Sequence, residues 1–187
     1  MKLTKNKKAA MEMSVGTIVT IVLLMTVLIL GLVMIRTIFG SAKGAIDLTD
    51  QQLKDELNKA FGSEDKKISV YPSTRFLEMR QEETDGFGLG IRNALQGVGG
   101  TSLFSYEVVA SDPEIEDKCG ITGETAESWI VTGKSETDIP IPAGDYSSQK
   151  ILFEIPTGAP LCVIRFRVNV KNEEKAYATD FFDLKIK

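Results

Sequence analysis

Two cysteines, no histidine and two clusters of carboxylates frame the chemistry open to this chain of 187 residues. Cys119 and Cys162 can join in a disulfide. Such a bond would close a loop of about 43 residues and stabilise the fold by about 3–4 kcal/mol in the chain-entropy description. The same pair can equally remain one buried thiol and one loop thiol, since no redox motif surrounds either. Without histidine, Ser-His-Asp and Cys-His catalysis in their usual forms drop out, and two cysteines alone do not make a zinc site. Glu82, Glu83 and Asp85 form one acidic cluster, and Asp112, Glu114, Glu116 and Asp117 form another. The second offers oxygen ligands to calcium but lacks the EF-hand spacing, and a solvated loop accounts for it as well. No metal, no cofactor and no catalytic residue is expected.

Gly86-Phe87-Gly88-Leu89-Gly90 is glycine-rich. No basic residue or helix start follows it to cradle a phosphate. Glycines alternating along a strand instead mark a place where another backbone comes close. Trp129 reads as a core aromatic near a loop, with an exposed adhesive ring as the other reading.

The element that must position everything else is the run Met13 to Ile35, about 23 residues without a charge. As a helix it reaches about 34 Å, enough to cross a bilayer core. It is too long for the apolar core of a secretory signal peptide, and Val33-Met34-Ile35-Arg36 offers no small-residue cleavage site. Lys2, Lys5, Lys7 and Lys8 precede it, and only Arg36 and Lys43 follow closely. The positive-inside bias therefore puts the N-terminus in the cytoplasm and the rest of the chain outside. Glu12 sits at the cytoplasmic end of the span. It can reach the headgroups, or, in a bundle of such helices, pair with a neighbour's amino terminus. Net charge is −4, and the part beyond the span is acidic, which argues against nucleic acid as a partner.

No proline interrupts the chain between the span and Gly62. Ile46, Leu53, Leu57 and Ala60 keep helical spacing, and Asp50/Lys54 and Asp55/Lys59 are acidic-first pairs four apart. The pattern predicts one helix from about residue 11 to 61. Gly16 falls inside its apolar part. Gly40 and Gly44 form a GxxxG pair just past the span, which fits either a hinge or a close helix contact.

From residue 63 the period changes to alternation. Candidate strands are Ile68–Tyr71, Phe76–Arg80, Phe87–Ile91, Phe104–Val108, Trp129–Thr132, Lys150–Ile155 and Phe182–Ile186. The clearest is Leu161–Lys171, where Cys162, Ile164, Phe166, Val168 and Val170 face one way and Arg165, Arg167, Asn169 and Lys171 the other. About seven or eight short strands broken by turns suit a two-sheet antiparallel sandwich. The expected fold class is α+β, with residues 1–10 a basic cytoplasmic leader, 11–62 a transmembrane and extended helix, and 63–187 an all-β extracytoplasmic sandwich.

Residues 5 to 60 resemble the N-terminal region of archaeal type IV pilin-like proteins, archaellins included. The likeness rests on the lysine cluster, on Lys8-Ala9 followed by Ala10-Met11, and on Val15-Gly16-Thr17-Ile18-Val19 opening the apolar helix. It implies cleavage by a prepilin-type peptidase within Lys8, Ala9, Ala10 and Met11, and a mature chain starting near Ala10. It further implies self-association of apolar helices in the core of a cell-surface filament. From Leu77 to Lys187 the chain resembles immunoglobulin-like domains of archaeal surface proteins, through GFGLGIRN, FSYEV, IPAGDYSSQKILFEIP and the final strand pair. Two functions follow as expectations: a pilin-like structural subunit, or an uncleaved, signal-anchored adhesion or binding protein that does not polymerise. The absent histidine argues against an enzyme. Membrane lipid is the common partner of both readings.

Overall fold

The computed structural model describes residues 7–40, 48–62, 66–95 and 99–187, and within the first helix side chains over 16–34. The chain divides into two compact units, Met1–Ser41 and Ala42–Lys187.

The first unit is helix α1, Lys7–Gly40. Its stretch Gly16–Met34 is long and apolar enough to cross a membrane, by length and composition. Fourteen large apolar side chains between Ile18 and Met34 are exposed, on every side of the helix. A soluble surface helix would instead show one apolar stripe.

The second unit opens with α2, Asp50–Phe61. The single helix expected over 11–61 is therefore two, and the boundary expected at residue 62 falls ahead of α2. The break has a local cause. Thr49 is extended (ψ 159°) and caps a new helix, with its Oγ1 accepting from Gln52 N at 3.3 Å while Gln52 Oε1 accepts from Thr49 N at 3.0 Å. That reciprocal box satisfies amides that a continuous helix would bond to the preceding turn. Gly62 (φ +56°) ends α2, a backbone setting that favours glycine.

Nine strands follow among the described residues: β1 Ile68–Tyr71, β2 Phe76–Met79, β3 Thr84–Arg92, β4 Thr101–Ala110, β5 Ile130–Thr132, β6 Ser135–Pro142, β7 Tyr146–Glu154, β8 Val163–Asn172 and β9 Lys175–Ile186. Two short helices, α3 (Ile115–Cys119) and α4 (Gly123–Glu127), fill the link between β4 and β5. The strands form a four-stranded sheet, β1-β3-β7-β5, and a five-stranded sheet, β2-β9-β8-β4-β6. The two-sheet sandwich expected from alternation is present, and it resembles immunoglobulin-like folds in architecture. It departs from the expectation in one pairing: β2 runs parallel to β9, with Phe76 opposite Asp183 and Met79 opposite Ile186. It departs also in composition, since three helices belong to the same unit as the strands.

Alternation gives each sheet one apolar face, and the two faces meet. Phe87 and Phe153 from the first sheet pack with Phe166 and Phe182 from the second, all fully buried. Ring centroids lie 3.9 Å apart for Phe87–Phe182 and 5.0 Å for Phe153–Phe166, within aromatic contact range. Trp129 is buried immediately before β5.

Candidate functional site

The strongest candidate on the first unit is the surface of α1 over Gly16–Met34. The only polar side chains there are threonines, and two of them bond back to the helix. Thr20 Oγ1 donates to Gly16 O, and Thr26 Oγ1 donates to Leu23 O at 2.8 Å. These hydroxyls therefore require no water, which is the condition for placing a polar group in hydrocarbon. Withdrawing the fourteen half-exposed apolar side chains from water is worth on the order of 20 kcal/mol. A surface of this kind stays in water only at great cost.

The positions singled out for processing and packing fall on the same helix. Lys8, Ala9, Ala10 and Met11 lie in its opening turns, and Gly40 is its last residue. Gly16 has open space beside it, with nothing within 4 Å of where a Cβ would stand. Gly44 lies outside the described residues, so the GxxxG pair is described at one end only.

On the second unit, the glycine-rich strand β3 is a seat for α2. Ser69 and Tyr71 of β1 pair with Gly90 and Gly88, which pair in turn with Ser148 and Lys150 of β7. Register puts all six on one face, small residues in the middle and long ones at the rim. Leu53, Leu57 and Phe61 of α2, spaced four apart, are buried on it. A Cβ on Gly88 would lie 2.3 Å from Leu53 Cδ1, and one on Gly90 would lie 2.9 Å from the Phe61 ring. The expected close approach of another backbone holds at Gly86, where a Cβ would meet Ile151 O at 2.0 Å. At Gly88 and Gly90 the approach is by helix side chains instead.

Polar contacts frame the seat. Lys150 Nζ donates to Leu48 O at 2.9 Å and pairs with Asp50 at 3.1 Å. The Tyr146 hydroxyl donates to Lys54 O at 3.1 Å, and Lys66 Nζ donates to Ala60 O at 2.7 Å near the helix end. The Arg92 guanidinium lies 4.3 Å from the centre of the Phe61 ring.

The cysteines come together: Cys119 and Cys162 are disulfide-bonded, Cα atoms 5.7 Å apart. The bond ties the end of α3 to the loop before β8. Strand β8 begins at Val163, two residues after the expected start at Leu161. Beside the bond, Asp112, Glu114, Lys118, Val163, Arg165 and Asp183 line a groove of about 630 Å³. Both of its cations are paired with its carboxylates. Lys118 pairs with Glu114 at 2.7 Å, and Arg165 clasps both oxygens of Asp183 at 2.8 and 2.9 Å. Those partners raise the pKa of Lys118 and of Arg165 above their ordinary values. Among the described residues no group of three or more His, Cys, Asp or Glu side chains is placed to hold a metal ion. The other acidic cluster is spent on turns: Glu83 accepts from Arg80 N at 2.6 Å, Glu82 from Thr157 at 2.9 Å and Asp85 from Gly86 N at 2.7 Å.

Sequence reasoning missed the α2 seat as a unit and a polar cavity beside it, described below. The Thr49–Gln52 capping box was the available signal for the first. The second draws on five separate elements, and no local motif marks it.

No protein-family model matches the chain, and no curated protein matches it. Among solved structures it is similar to a CARDB domain from Pyrococcus furiosus determined in complex with di-metal ions. That match has 10% identity over 64% of this chain and 87% of that one, with a TM-score of 0.41. It is similar also to a Niemann-Pick type C2 protein from Japanese carpenter ant, with 12% identity, coverage of 64% and 89%, and a TM-score of 0.38. A third is the ASH / PapD-like domain of human CEP192, with 14% identity, coverage of 67% and 87%, and a TM-score of 0.36. Identities this low speak to fold alone, and no ligand or activity passes from these proteins to this chain.

Proposed function

We propose that this chain is a pilin-like structural subunit of a cell-surface filament, anchored by, and assembled through, α1. The observation that carries the reading is the all-round apolar, charge-free surface of Gly16–Met34 on a chain whose other unit encloses its own apolar core between two sheets. Lipid and a bundle of identical helices are equivalent surroundings for such a surface, so passage from one to the other need not expose it to water.

The sheet edges support the same reading. Strands β1 and β2 have four residues each and β5 has three. The longer edge strand β6 carries Pro140 and Pro142, which lack the amide that strand addition needs. Self-association is thereby directed away from the sandwich edges and toward the helix. In this reading Lys2, Lys5, Lys7 and Lys8, before and within the first turn of α1, keep its N-terminus in the cytoplasm and leave the sandwich outside. Catalysis is no part of the proposal.

The second reading, a fixed surface anchor, is favoured by one feature: α1 is helical through Lys8-Ala9-Ala10-Met11, and a peptidase would have to unwind those turns. Mass spectrometry of the native N-terminus, on envelopes and on sheared surface material, separates the two. A chain starting at Ala10 in the sheared fraction supports the subunit. A chain starting at Met1 or Lys2, found in envelopes and absent from sheared material, overturns it in favour of the anchor.

A further inference from the structure

A second cavity, of about 530 Å³, lies where α2, the β5–β6 turn and β7 meet. Strand β5 pairs with β7 only through Phe153 and Leu152, so the stretch Ser148–Lys150 passes beyond its cover. Gly133 (φ +76°) makes the turn against β7 there. A Cβ on it would lie 2.1 Å from Lys150 O, so the turn can be this tight only with glycine. The turn delivers Ser135 and Glu136 to one wall of the cavity, and Ser148 and Gln149 form the other.

Tyr106 also lines this cavity. The residue is 3% exposed, with its ring in the sandwich core. Its hydroxyl makes no hydrogen bond among the described residues and is not among the side-chain atoms sealed from solvent, so it is open to the cavity the residue lines. Burial, and secondarily the charge of Glu136, push its pKa up to about 12, so the phenol keeps its proton and remains a donor.

The chemistry of the lining narrows the ligand. Ligand sites for apolar molecules are lined mainly by apolar side chains, and here Leu53 and the Tyr106 ring are the apolar elements among polar ones. An anion site needs surplus positive charge. Lys150 is already held by Asp50, and the lining's two lysines, Lys54 and Lys150, are balanced in number by Asp50 and Glu136. What remains is a set of groups that both donate and accept: the hydroxyls of Tyr106, Thr132, Ser135 and Ser148 and the amide of Gln149. Hydroxyl-rich neutral molecules present the same double character.

We propose that this cavity is a binding site for a neutral polyhydroxylated ligand, a sugar residue of a glycan, with the unpartnered Tyr106 hydroxyl as its deepest contact. The site lies wholly on the second unit and does not depend on whether the chains polymerise.

The test uses the full chain in phospholipid nanodiscs, since glycoside detergents would compete. Methyl α-glucoside, methyl β-galactoside, N-acetylglucosamine and lactose are titrated by saturation-transfer NMR and calorimetry, with sodium phosphate alongside. At least one sugar is expected to saturate in the millimolar range or tighter. Tyr106→Phe and Gln149→Ala are each expected to weaken it fivefold or more while the thermal midpoint stays near wild type. Gln149 is only half-buried, so its truncation reports on the site even if the Tyr106 variant alters folding. Absence of saturation by every sugar, saturation by phosphate alone, or unchanged affinity in both variants overturns the proposal.

Discussion

Placing a methyl group on the seat of α2 gives a cost that geometry fixes in both sign and rank. In Gly88→Ala the new Cβ falls 2.3 Å from Leu53 Cδ1 and 3.3 Å from Tyr71 Cβ. Leu53 is 2% exposed and packed on the seat, so turning it aside toward the neighbouring cavity gives up part of that packing. Overpacking of this kind costs about 1–3 kcal/mol. Against it stands a gain of about 0.4–1 kcal/mol, because alanine has fewer unfolded conformations to lose. The overlap is deep, so the penalty wins, leaving a net loss of roughly 1–2 kcal/mol, or about 2–8 °C in Tm at this size. Leu53→Ala alone removes buried methyls and costs about 2–4 kcal/mol. In the double variant the Gly88 methyl occupies part of the space that Leu53 vacates, so the two losses must fall short of additive by about 1 kcal/mol or more. Gly86→Ala is the calibrating neighbour. Its Cβ meets a backbone oxygen that cannot yield, so it must cost more than Gly88→Ala. Denaturation of the detergent-solubilised chain followed by Trp129 fluorescence, with hydrogen exchange over residues 50–61, reads all four. Strict additivity of the pair, or a neutral Gly88→Ala with unchanged exchange in α2, would refute the seating of the helix on β3.

The other predictions concern the bond, the core phenol and the span. Replacing Cys119 and Cys162 by serine releases a loop of 43 residues and is expected to lower stability by about 3–4 kcal/mol, seen as a fall in Tm without loss of the β signature by circular dichroism. The Tyr106 phenol is raised from an ordinary 10 to about 12, so the unfolded chain ionises first. The stability this represents is complete below pH about 10 and disappears as pH climbs through about 12. It amounts to on the order of 2–3 kcal/mol, and Tyr106→Phe should flatten that alkaline limb in a pH series of melts. Leu24→Arg puts a charge at the middle of the apolar stretch at a cost of about 2.5–3.5 kcal/mol, and should visibly reduce the share of chain recovered in membranes.

How far the fold could be read from residues depended on whether their signals were local. Alternation at Ile164, Phe166, Val168 and Val170 located β8, because the side-chain period of a strand is written directly in the sequence. Strand β6 escaped because Pro140 and Pro142 are poor strand formers that an edge position tolerates. The parallel β2–β9 pair joins residues more than a hundred positions apart, and four residues of strand carry no mark of their partner. The glycines of β3 signalled a close approach, but whether backbone or helix made it depended on where α2 folded back. The GxGxG spacing and the Leu53-Leu57-Phe61 spacing match only once both elements are in place. Tyr106 was legible as an inward strand residue. That its hydroxyl would end beside Ser135 and Gln149 follows from the tight turn at Gly133, which is a tertiary fact.

The account stands on residues 16–34 never residing in water as a lone chain. Fractionation of producing cells, with an alkaline carbonate wash of the envelope and gel filtration of the sheared and soluble fractions, measures this directly. The account predicts every molecule that retains those residues in the washed pellet or in high-mass surface material. A monomer in the carbonate supernatant that still carries Gly16–Met34 would contradict it.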